Sequence, residues 1–480
     1  MQPPKPRTRW TLAIVSLALF MVVLDNLIVT VALPSIQRDL GATLQQLEWT
    51  VNAYTLAFAV TLIPGAAIGD RFGRKRTFLA GLALFTASSA AAALAPGASE
   101  LVAARALQGI GGAIVAPLTL TLLAEAFPPE RRGAALGIWS GISGLGIALG
   151  PLVGGAVVSG LSWQWIFWIN VPLGVALLPL AAVFLRESHG EATRLDLPGV
   201  GLVTTGLFAL VFGLVRGQAE GWTSPLIVGS LSAGAVLLAL FVAHERRTEA
   251  PMVPLDLFAK RAFAVTNGVS FFMYFGTFGS IFLITQFVQQ VMGYAPFDAG
   301  VRMLVWTGAT AITSPIAGIL AERRGPRTLM ALGLALQAAA LAWLAMASGV
   351  DSTNSELAAP FAIAGVGMGL VFAPSASALL SVVAPHRAGQ ASGTNNAIRE
   401  VGGVFGVAVM STIFSGAGGF TSPQAFVDGF HPALWVGAAV VGVGAAVALL
   451  LPAGREEAVA AEAAPPAAPV PVPAYVPEAA

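Results

Sequence analysis

The sequence predicts an all-α integral membrane protein with fourteen crossings arranged as six, two and six. Three observations carry that prediction: a composition too apolar for water, fourteen apolar runs of membrane length, and an internal repeat matching the first six runs to the last six. Of 480 residues, 56% are hydrophobic and 10% charged, and the mean hydropathy is +0.79. A soluble globular chain carries about 25% charged residues, so an ordinary soluble enzyme and a disordered chain are both excluded. The net charge of +1 offers no basic face for nucleic acid. With no Cys there are no disulfides, thiolate metal sites or Cys nucleophile. His189, His244, His386 and His431 lie far apart and between apolar runs, so no metal ion is expected. Arg outnumbers Lys 22 to 3, which with the Ala and Gly content suggests a GC-rich bacterial genome.

A helix crossing the roughly 30 Å hydrocarbon core needs about 20 mostly apolar residues. Such runs fall at 10–34, 48–68, 77–95, 99–122, 134–158, 163–185, 197–215, 225–243, 263–290, 299–320, 327–348, 358–383, 388–414 and 433–452, numbered here as spans 1 to 14. The first follows Lys5, Arg7 and Arg9 as a signal peptide would, but its apolar stretch is too long for one. With the N-terminus inside, Arg38, Arg216 and Arg302 fall outside, Arg105 and Arg399 fall within spans, and every other Lys and Arg falls inside. That asymmetry predicts cytoplasmic termini and an even number of spans. Trp49, Trp163 and Trp165 stand at span ends, where interfacial belts prefer them. The Ala/Pro-rich stretch 453–480 is expected to be a disordered or polyproline-like tail.

Self-comparison reveals a duplication. Leu101, Gly109 and Gly111 of span 4 align with Leu357, Gly365 and Gly367 of span 12 at an offset of 256, which also takes Arg131, Gly133 and Gly137 onto Arg387, Gly389 and Gly393. At an offset of 252, Asp70, Arg71, Gly73 and Lys75 fall on Glu322, Arg323, Gly325 and Arg327. Residues 1–190 are therefore expected to form one six-helix bundle, 191–250 a two-helix insert of spans 7 and 8, and 251–452 a second six-helix bundle. Such repeats imply a transporter that rocks one half against the other around a site near mid-membrane.

Three segments carry specific chemistry. The loop Gly69-Asp70-Arg71-Phe72-Gly73-Arg74-Lys75-Arg76 sets a carboxylate beside four cations on a two-Gly turn. Plain positive-inside charge explains the cations but neither the Asp nor the Gly spacing, so the loop is expected to pair with helix ends and latch two helices. Arg105 lies about five residues, roughly 8 Å, into span 4. A charge in a span costs at least about 2.5–3.5 kcal/mol on insertion scales, so Arg105 should face the bundle interior and find a partner. In span 5, Gly146, Gly150, Pro151, Gly154 and Gly155 permit close helix approach, with Pro151 bending the helix. An ordinary tight-packing span explains these Gly but less well the Gly-Pro pair.

Asp25 lies about fifteen residues, roughly 22 Å, into span 1. Arg105 enters from the other side to a similar depth, so the two are expected to be neighbours. A carboxylate that alternates between a desolvated setting and the side of an Arg takes and releases a proton; a static Asp–Arg staple is the alternative. In the second half, Phe361 stands in the place of Arg105, and Arg399 and Glu400 stand where span 5 has Ser143 and Gly144. Neighbouring residues point about 100° apart on a helix, so Arg399 and Glu400 cannot face one partner. Glu400 is the second candidate for proton coupling or cation recognition, with Arg399 tuning it as Arg105 tunes Asp25; a structural ion pair with another span is the alternative. Asn52, Tyr54, Phe271, Phe272, Tyr274, Phe275, Gln286, Asn395 and Asn396 are candidates to line a cavity, where aromatics and a few carboxylates suit bulky lipophilic cations. Helix or lipid packing explains the span 9 aromatics equally well. Glu48 and Glu125 read as interfacial.

Together these segments resemble the motifs of the major facilitator superfamily, and specifically its fourteen-span drug:proton antiporters. The Asp70 loop is similar to the family signature between spans 2 and 3, span 4 to its Arg-containing motif, span 5 to its antiporter motif, and Val22 to Ile36 to its acidic first-span motif. The resemblance covers nearly the whole chain. Ala66 stands where the family pattern has Gly, Leu27 where it has Thr and Thr30 where it has Asn; the last two thin out the polar groups near Asp25. The resemblance implies a major facilitator fold of two pseudo-symmetric bundles, an acidic first-span residue in coupling or cation recognition, and an acidic residue in span 13. No Lys follows a Gly, so there is no P-loop and no direct use of ATP. No cofactor is expected, and the proton gradient is the energy source. The reading is a monomeric transporter of the bacterial cytoplasmic membrane, not an enzyme, that exports drug-like cationic or lipophilic compounds against protons. An exporter of one metabolite or self-made antibiotic is the alternative, and a membrane receptor or embedded enzyme a remote one.

Overall fold

The computed structural model describes residues 6–190, 196–248, 251–253, 255–384 and 387–452. Arg194, His386 and the expected tail 453–480 lie outside the described residues, as do the side chains of Leu27, Thr30, Glu48 and Pro151. The spans are the helices Pro6–Leu40, Leu44–Phe72, Arg74–Ala93, Ala98–Ala126, Pro129–Gly160, Trp165–Phe184, Leu197–Glu220, Pro225–Glu245, Arg261–Gln286, Pro296–Arg324, Pro326–Ala347, Asn354–Ser381, Ala388–Ala417 and Pro423–Ala448. Among the described residues, 13 of them have the length and hydropathy of a membrane crossing, and span 5 is an unbroken helix of 32 residues. In hydrocarbon a helix succeeds because each backbone donor finds its acceptor within the segment. At the ends, side chains supply what the helix lacks: Thr43 and Gln46 form a capping box at span 2, Thr353 and Glu356 another at span 12, and Asp196, Ser224 and Ser422 cap spans 7, 8 and 14. Span 6 is interrupted at Ile169, which starts its long second piece at Asn170.

The pairing of spans repeats. In the first bundle spans 1 and 5, 2 and 4, 3 and 4, and 3 and 6 pack together; eight spans later 9 and 13, 10 and 12, 11 and 12, and 11 and 14 do the same. Glycines set the closest approaches, at equivalent places. A Cβ on Gly111 would lie 2.7 Å from the Phe85 nitrogen and 2.9 Å from the Gly81 oxygen; on Gly367 it would lie 2.5 Å from the Gly333 oxygen and 2.9 Å from the Gln337 nitrogen. Gly109 abuts the Tyr54 backbone as Gly365 abuts that of Trp306. The turns after spans 2 and 10 each need a glycine at positive φ, Gly73 at 107° and Gly325 at 82°. The bundles meet along span 5 against span 10 and span 2 against span 13, which are exchanged by the same pseudo-symmetry. Span 7 packs on span 8 and touches both span 2 and span 13.

Two sequence expectations need correction. Trp163 is not a belt residue: it is 1% exposed and donates from Nε1 to Asp39 at 2.9 Å. Trp49 packs on Phe212 of span 7, and Trp165 alone of the three is an exposed ring. His431 and His244 lie within helices rather than between them, His431 against the Ser348 carbonyl at 2.6 Å and His244 against Asp196.

Because the two halves close on the same glycines, Gly111→Val and Gly367→Val are expected to destabilise alike, by about 1–3 kcal/mol of overpacking. Thermal unfolding of the purified protein reads this loss; Gly229→Ala, inside a helix with nothing within 4 Å of its Cβ, is the control expected to hold or slightly raise the midpoint.

Candidate functional site

Four spans converge on Asp25, whose side chain is fully buried. Its Oδ2 accepts from Arg105 Nη1 at 2.5 Å, and its Oδ1 accepts from Gln108 Nε2 at 2.8 Å and from Asn170 Nδ2 at 2.7 Å. Arg105, also fully buried, donates further to Gln108 Oε1 at 2.7 Å and to the Thr50 carbonyl at 3.2 Å. Gln108 Nε2 donates as well to Ser89 Oγ at 2.7 Å. The guanidinium lies over the Tyr54 ring at 4.2 Å, and Tyr54 itself donates to the Val22 carbonyl at 3.3 Å. The structure thus brings Asp25, Arg105 and Tyr54 together. Gln108 and Asn170 escaped the sequence reading. Gln108 lies three residues beyond Arg105 on the same helix face and was legible by that spacing; no spacing in the sequence ties Asn170 of span 6 to Asp25, and only the packing of span 6 on span 1 brings them together.

The second bundle handles the equivalent place with rings. Phe361 packs on Trp306 with centroids 6.3 Å apart where the first bundle has Arg105 over Tyr54. Its own charges lie in span 13. Arg399 is 2% exposed, donates to Ser375 Oγ at 3.0 Å, and sits near the Tyr274 and Phe372 rings at 5.5 and 5.2 Å. Glu400 is half-buried and has no hydrogen bond or ion pair among the described residues, so it is not a structural pair with a neighbouring span. It lies within electrostatic reach of both Tyr54 and Tyr274, one tyrosine from each bundle.

Several expected cavity residues are placed otherwise. Asn52 borders a small crevice with Trp49, Phe212 and Arg216, toward span 7. Asn395 is buried and donates to Asn267 and Ser270 within the second bundle, and Asn396 donates back to the Ser392 carbonyl of its own helix at 3.0 Å. Gln286 accepts from Gln290 at the far end of span 9. The backbones of Phe271 and Phe275 abut Gly402 and Gly406 of span 13, and the Phe272 side chain abuts Gly444 of span 14. Helix phase relative to neighbours, not residue type, decides which face each of these side chains takes.

The face bearing Arg7, Arg71 to Arg76 and Arg323 to Arg327, here the basic face, is latched between the bundles. Asp70, 1% exposed, accepts from Arg74 Nε at 2.7 Å, and Arg74 also pairs with Glu125. Glu125 is therefore a latch partner and not merely interfacial. Of the other cations, Arg71 lies over the Phe72 ring, Lys75 donates to the Ala182 carbonyl, and Arg76 is exposed. The Asp70 carboxylate abuts the first turn of span 13, at Gly389 and the Gln390 N–H. Its counterpart Glu322 accepts from the Gly133 N–H at 2.6 Å, just past the first turn of span 5. Each repeat thus presents a carboxylate to a helix N-terminus of the other, where the helix dipole favours negative charge. Arg387, just ahead of span 13, grips Asp256 through bonds of 2.8 and 2.6 Å. A cavity of about 610 Å³ opens on this face beside Arg7, Glu125, Phe184 and Arg186, away from Asp25.

A sequence model of the Major Facilitator Superfamily matches residues 15–407 and 266–476. The chain belongs to the major facilitator superfamily. It is 35% identical to the tetracenomycin C resistance and export protein of Streptomyces glaucescens over 88% of this chain and 79% of that one. It is 37% identical to the multidrug resistance protein Stp of Mycobacterium tuberculosis (84% and 75%) and 36% identical to the puromycin resistance protein pur8 of Streptomyces alboniger (89% and 87%). Its fold is similar to those of a double-tryptophan mutant of XylE (TM-score 0.67, 16% identity, covering 94% and 98%) and the human organic anion transporter MFSD10 (TM-score 0.66, 15% identity, covering 93% and 100%).

In this superfamily member the span 5 glycines serve two neighbours. Gly146 lies against Phe20 and Val23 of span 1, and Gly155 against Phe297 of span 10, while Gly150 and Gly154 are buried. Span 5 therefore holds the first bundle together with one face and meets the second with another.

Arg105→Ala strands the Asp25 carboxylate in an apolar bundle, and the expected loss is about 3–5 kcal/mol of stability. Thermal melting reads it, and adding Asp25→Leu is expected to restore part of the loss. At the latch, the hydrogen-bonding Arg387 guanidinium holds the Asp256 carboxyl below the usual aspartate range. The contribution of this pair is then complete above the ordinary Asp value of about 3.9 and is lost as pH falls through the lowered one. The gap in melting midpoint between wild type and Asp256→Asn is expected to hold from about pH 7 to 5 and to shrink only as pH falls below the ordinary aspartate range.

Proposed function

We propose that this superfamily member exports drug-like, lipophilic or cationic compounds in exchange for protons by alternating access. The observation that carries the reading is the buried cluster of Asp25, Arg105, Gln108 and Asn170, in which one carboxylate accepts from three side chains on two other spans. A proton added to Asp25 removes the charge that balances Arg105 and leaves the guanidinium to Gln108, the Thr50 carbonyl and the Tyr54 face. Breaking a buried pair is worth about 3–5 kcal/mol. Driving a two-state equilibrium from 1:99 to 99:1 takes about 5.5 kcal/mol. Protonation of Asp25 drives a change of access to the extent that the pair is kept in one state and parted in the other. Glu400, half-buried and unpaired among the described residues, is the group that receives a second proton or the positive charge of a substrate, with Tyr54 and Tyr274 as aromatic neighbours and Arg399 tuning its charge.

On this reading the Asp70 loop gates the basic face, span 5 is packing hinge and seal, and the chain works as a monomer without a cofactor. The basic face is cytoplasmic in a bacterial inner membrane, by the excess of Lys and Arg there. The resistance and export activities in the names of the relatives support export over import. Two of those names specify single antibiotics, tetracenomycin C and puromycin, which favours a second reading, a proton-linked exporter of one compound.

The test is proton-driven transport of a fluorescent lipophilic cation in inside-out vesicles, wild type against Asp25→Asn. Dye movement with proton release by wild type, both abolished in a folded mutant, is the expected result. Coupled flux that persists in the mutant would move the proton site to Glu400. No flux across a panel of cations, with flux of one antibiotic, would select the narrow exporter.

A further inference from the structure

The two-span insert is joined to the bundles by two connecting segments, and each is bolted to a different half of the latch. After span 6 the chain runs along the Asp70 loop as a strap. Arg74 N–H donates to the Ser188 carbonyl at 2.9 Å and Gly190 N–H to the Asp70 carbonyl at 2.7 Å. The Glu187 carboxylate accepts from the Lys75 N–H at 2.9 Å and the Arg76 N–H at 3.2 Å. It thereby caps span 3, whose own N-cap, Gly73, has no side chain to do so. A Cβ on Gly73 would stand 2.8 Å from that carboxylate.

The second segment leaves span 8 and is held to the other half. Glu245, 3% exposed at the end of span 8, accepts from the Met252 and Val253 N–H groups at 3.3 and 3.1 Å. The Pro251 carbonyl accepts from Gln390 Nε2 at 2.8 Å, Asp256 is gripped by Arg387, and Lys260 donates to the Val382 carbonyl at 2.9 Å. Gln390 and Arg387 belong to the turn against which Asp70 closes. Met252 and Val253 are buried with Ala67 of span 2, Val203 of span 7 and Phe241 of span 8. His244 on the two oxygens of Asp196, 2.9 Å from each, joins the basic-face ends of spans 7 and 8.

We propose that the insert is a clasp on the basic-face gate, with Glu187 and Glu245 as its positioning residues. Opening the gate separates Asp70 from span 13. The strap moves with the first, the second segment moves with the other, and the insert wedged between spans 2 and 13 resists until one anchor lets go. Removing an anchor therefore raises the population of the open basic face. The clasp rests on the alternating-access reading, and its test is kept separate from transport.

The chain has no Cys, so one introduced thiol is a clean reporter. Ser392 is fully buried, its Oγ has no partner, and it adjoins Gly393, which faces Ala66 across the bundle seam. Ser392→Cys is labelled with a membrane-impermeant maleimide in inside-out vesicles. Glu245→Ala and Glu187→Ala are expected to speed labelling by at least about tenfold, the factor that loss of even one charge-assisted bond of the closed state gives, and Glu245→Gln by less. Asp70→Asn is the positive control, and thermal melting checks folding. If either anchor variant fails to fold, Gln390→Ala, which severs only the Pro251 link, takes its place. Labelling accelerated by Asp70→Asn but unchanged by the anchor variants overturns the clasp. Accelerated labelling in a chain that moves no compound and no proton upholds the clasp and sinks the transport reading instead.

Discussion

An aspartate and an arginine with no exposed surface, 2.5 Å apart within a bundle of apolar helices, set the terms for the first half of this protein. Two charges at that depth are costly unless most of their remaining donors and acceptors are met. Meeting them recruits Thr50 of span 2, Ser89 of span 3, Gln108 of span 4 and Asn170 of span 6, and leaves Arg105 Nη2 without a hydrogen-bond partner among the described residues, its guanidinium over the Tyr54 ring. Five of the six helices of the bundle are thereby tied to one charge balance. A change in that balance is a change in how the helices sit, which is the physical requirement for a proton to drive a conformational cycle.

The second bundle shows the same scaffold without that constraint. Its glycines close the same helix pairs, yet Trp306 and Phe361 replace Tyr54 and Arg105, and packing of rings stands in for a cation over a ring. Charge is moved instead to Arg399 and Glu400 on span 13. Duplication has left the two halves alike in backbone and unlike in electrostatics. This division lets one half hold a tightly bonded carboxylate while the other offers a carboxylate with no hydrogen bond among the described residues.

Between the halves the working contacts are of two kinds. Along spans 5 and 10 they are backbone-close, set by Gly133, Gly137 and Gly141 against Gly318, Pro315 and Ala311. At the basic face they are carboxylates on helix N-termini, Asp70 on span 13 and Glu322 on span 5. Small residues give a surface that slides with little loss, whereas an anion at a helix end is held in one geometry and released as a unit. The strap adds another of the second kind, Glu187 on span 3, and on the other side of the latch the Glu245 carboxylate holds backbone N–H groups of the second connecting segment.

Much of this was legible in the chain itself. Apolar run length determined the spans, because a bilayer of given thickness admits only helices of matching length. The offsets of 256 and 252 determined the pairing of halves, since a glycine needed for close approach in one repeat is needed in the other. Depth along a helix, at about 1.5 Å per residue, was enough to place Asp25 beside Arg105. Tertiary structure alone decided the rest. Asn170 reaches Asp25 because span 6 packs on span 1, Glu125 joins the latch because Arg74 turns inward, Asn395 turns to span 9 and Asn52 to span 7. Each of these depends on the rotation of one helix against another, which residue types in a uniformly apolar run do not encode. Glu187 and Glu245 read in sequence as ordinary charges at span ends, and only the folded chain gives them backbone N–H groups to hold.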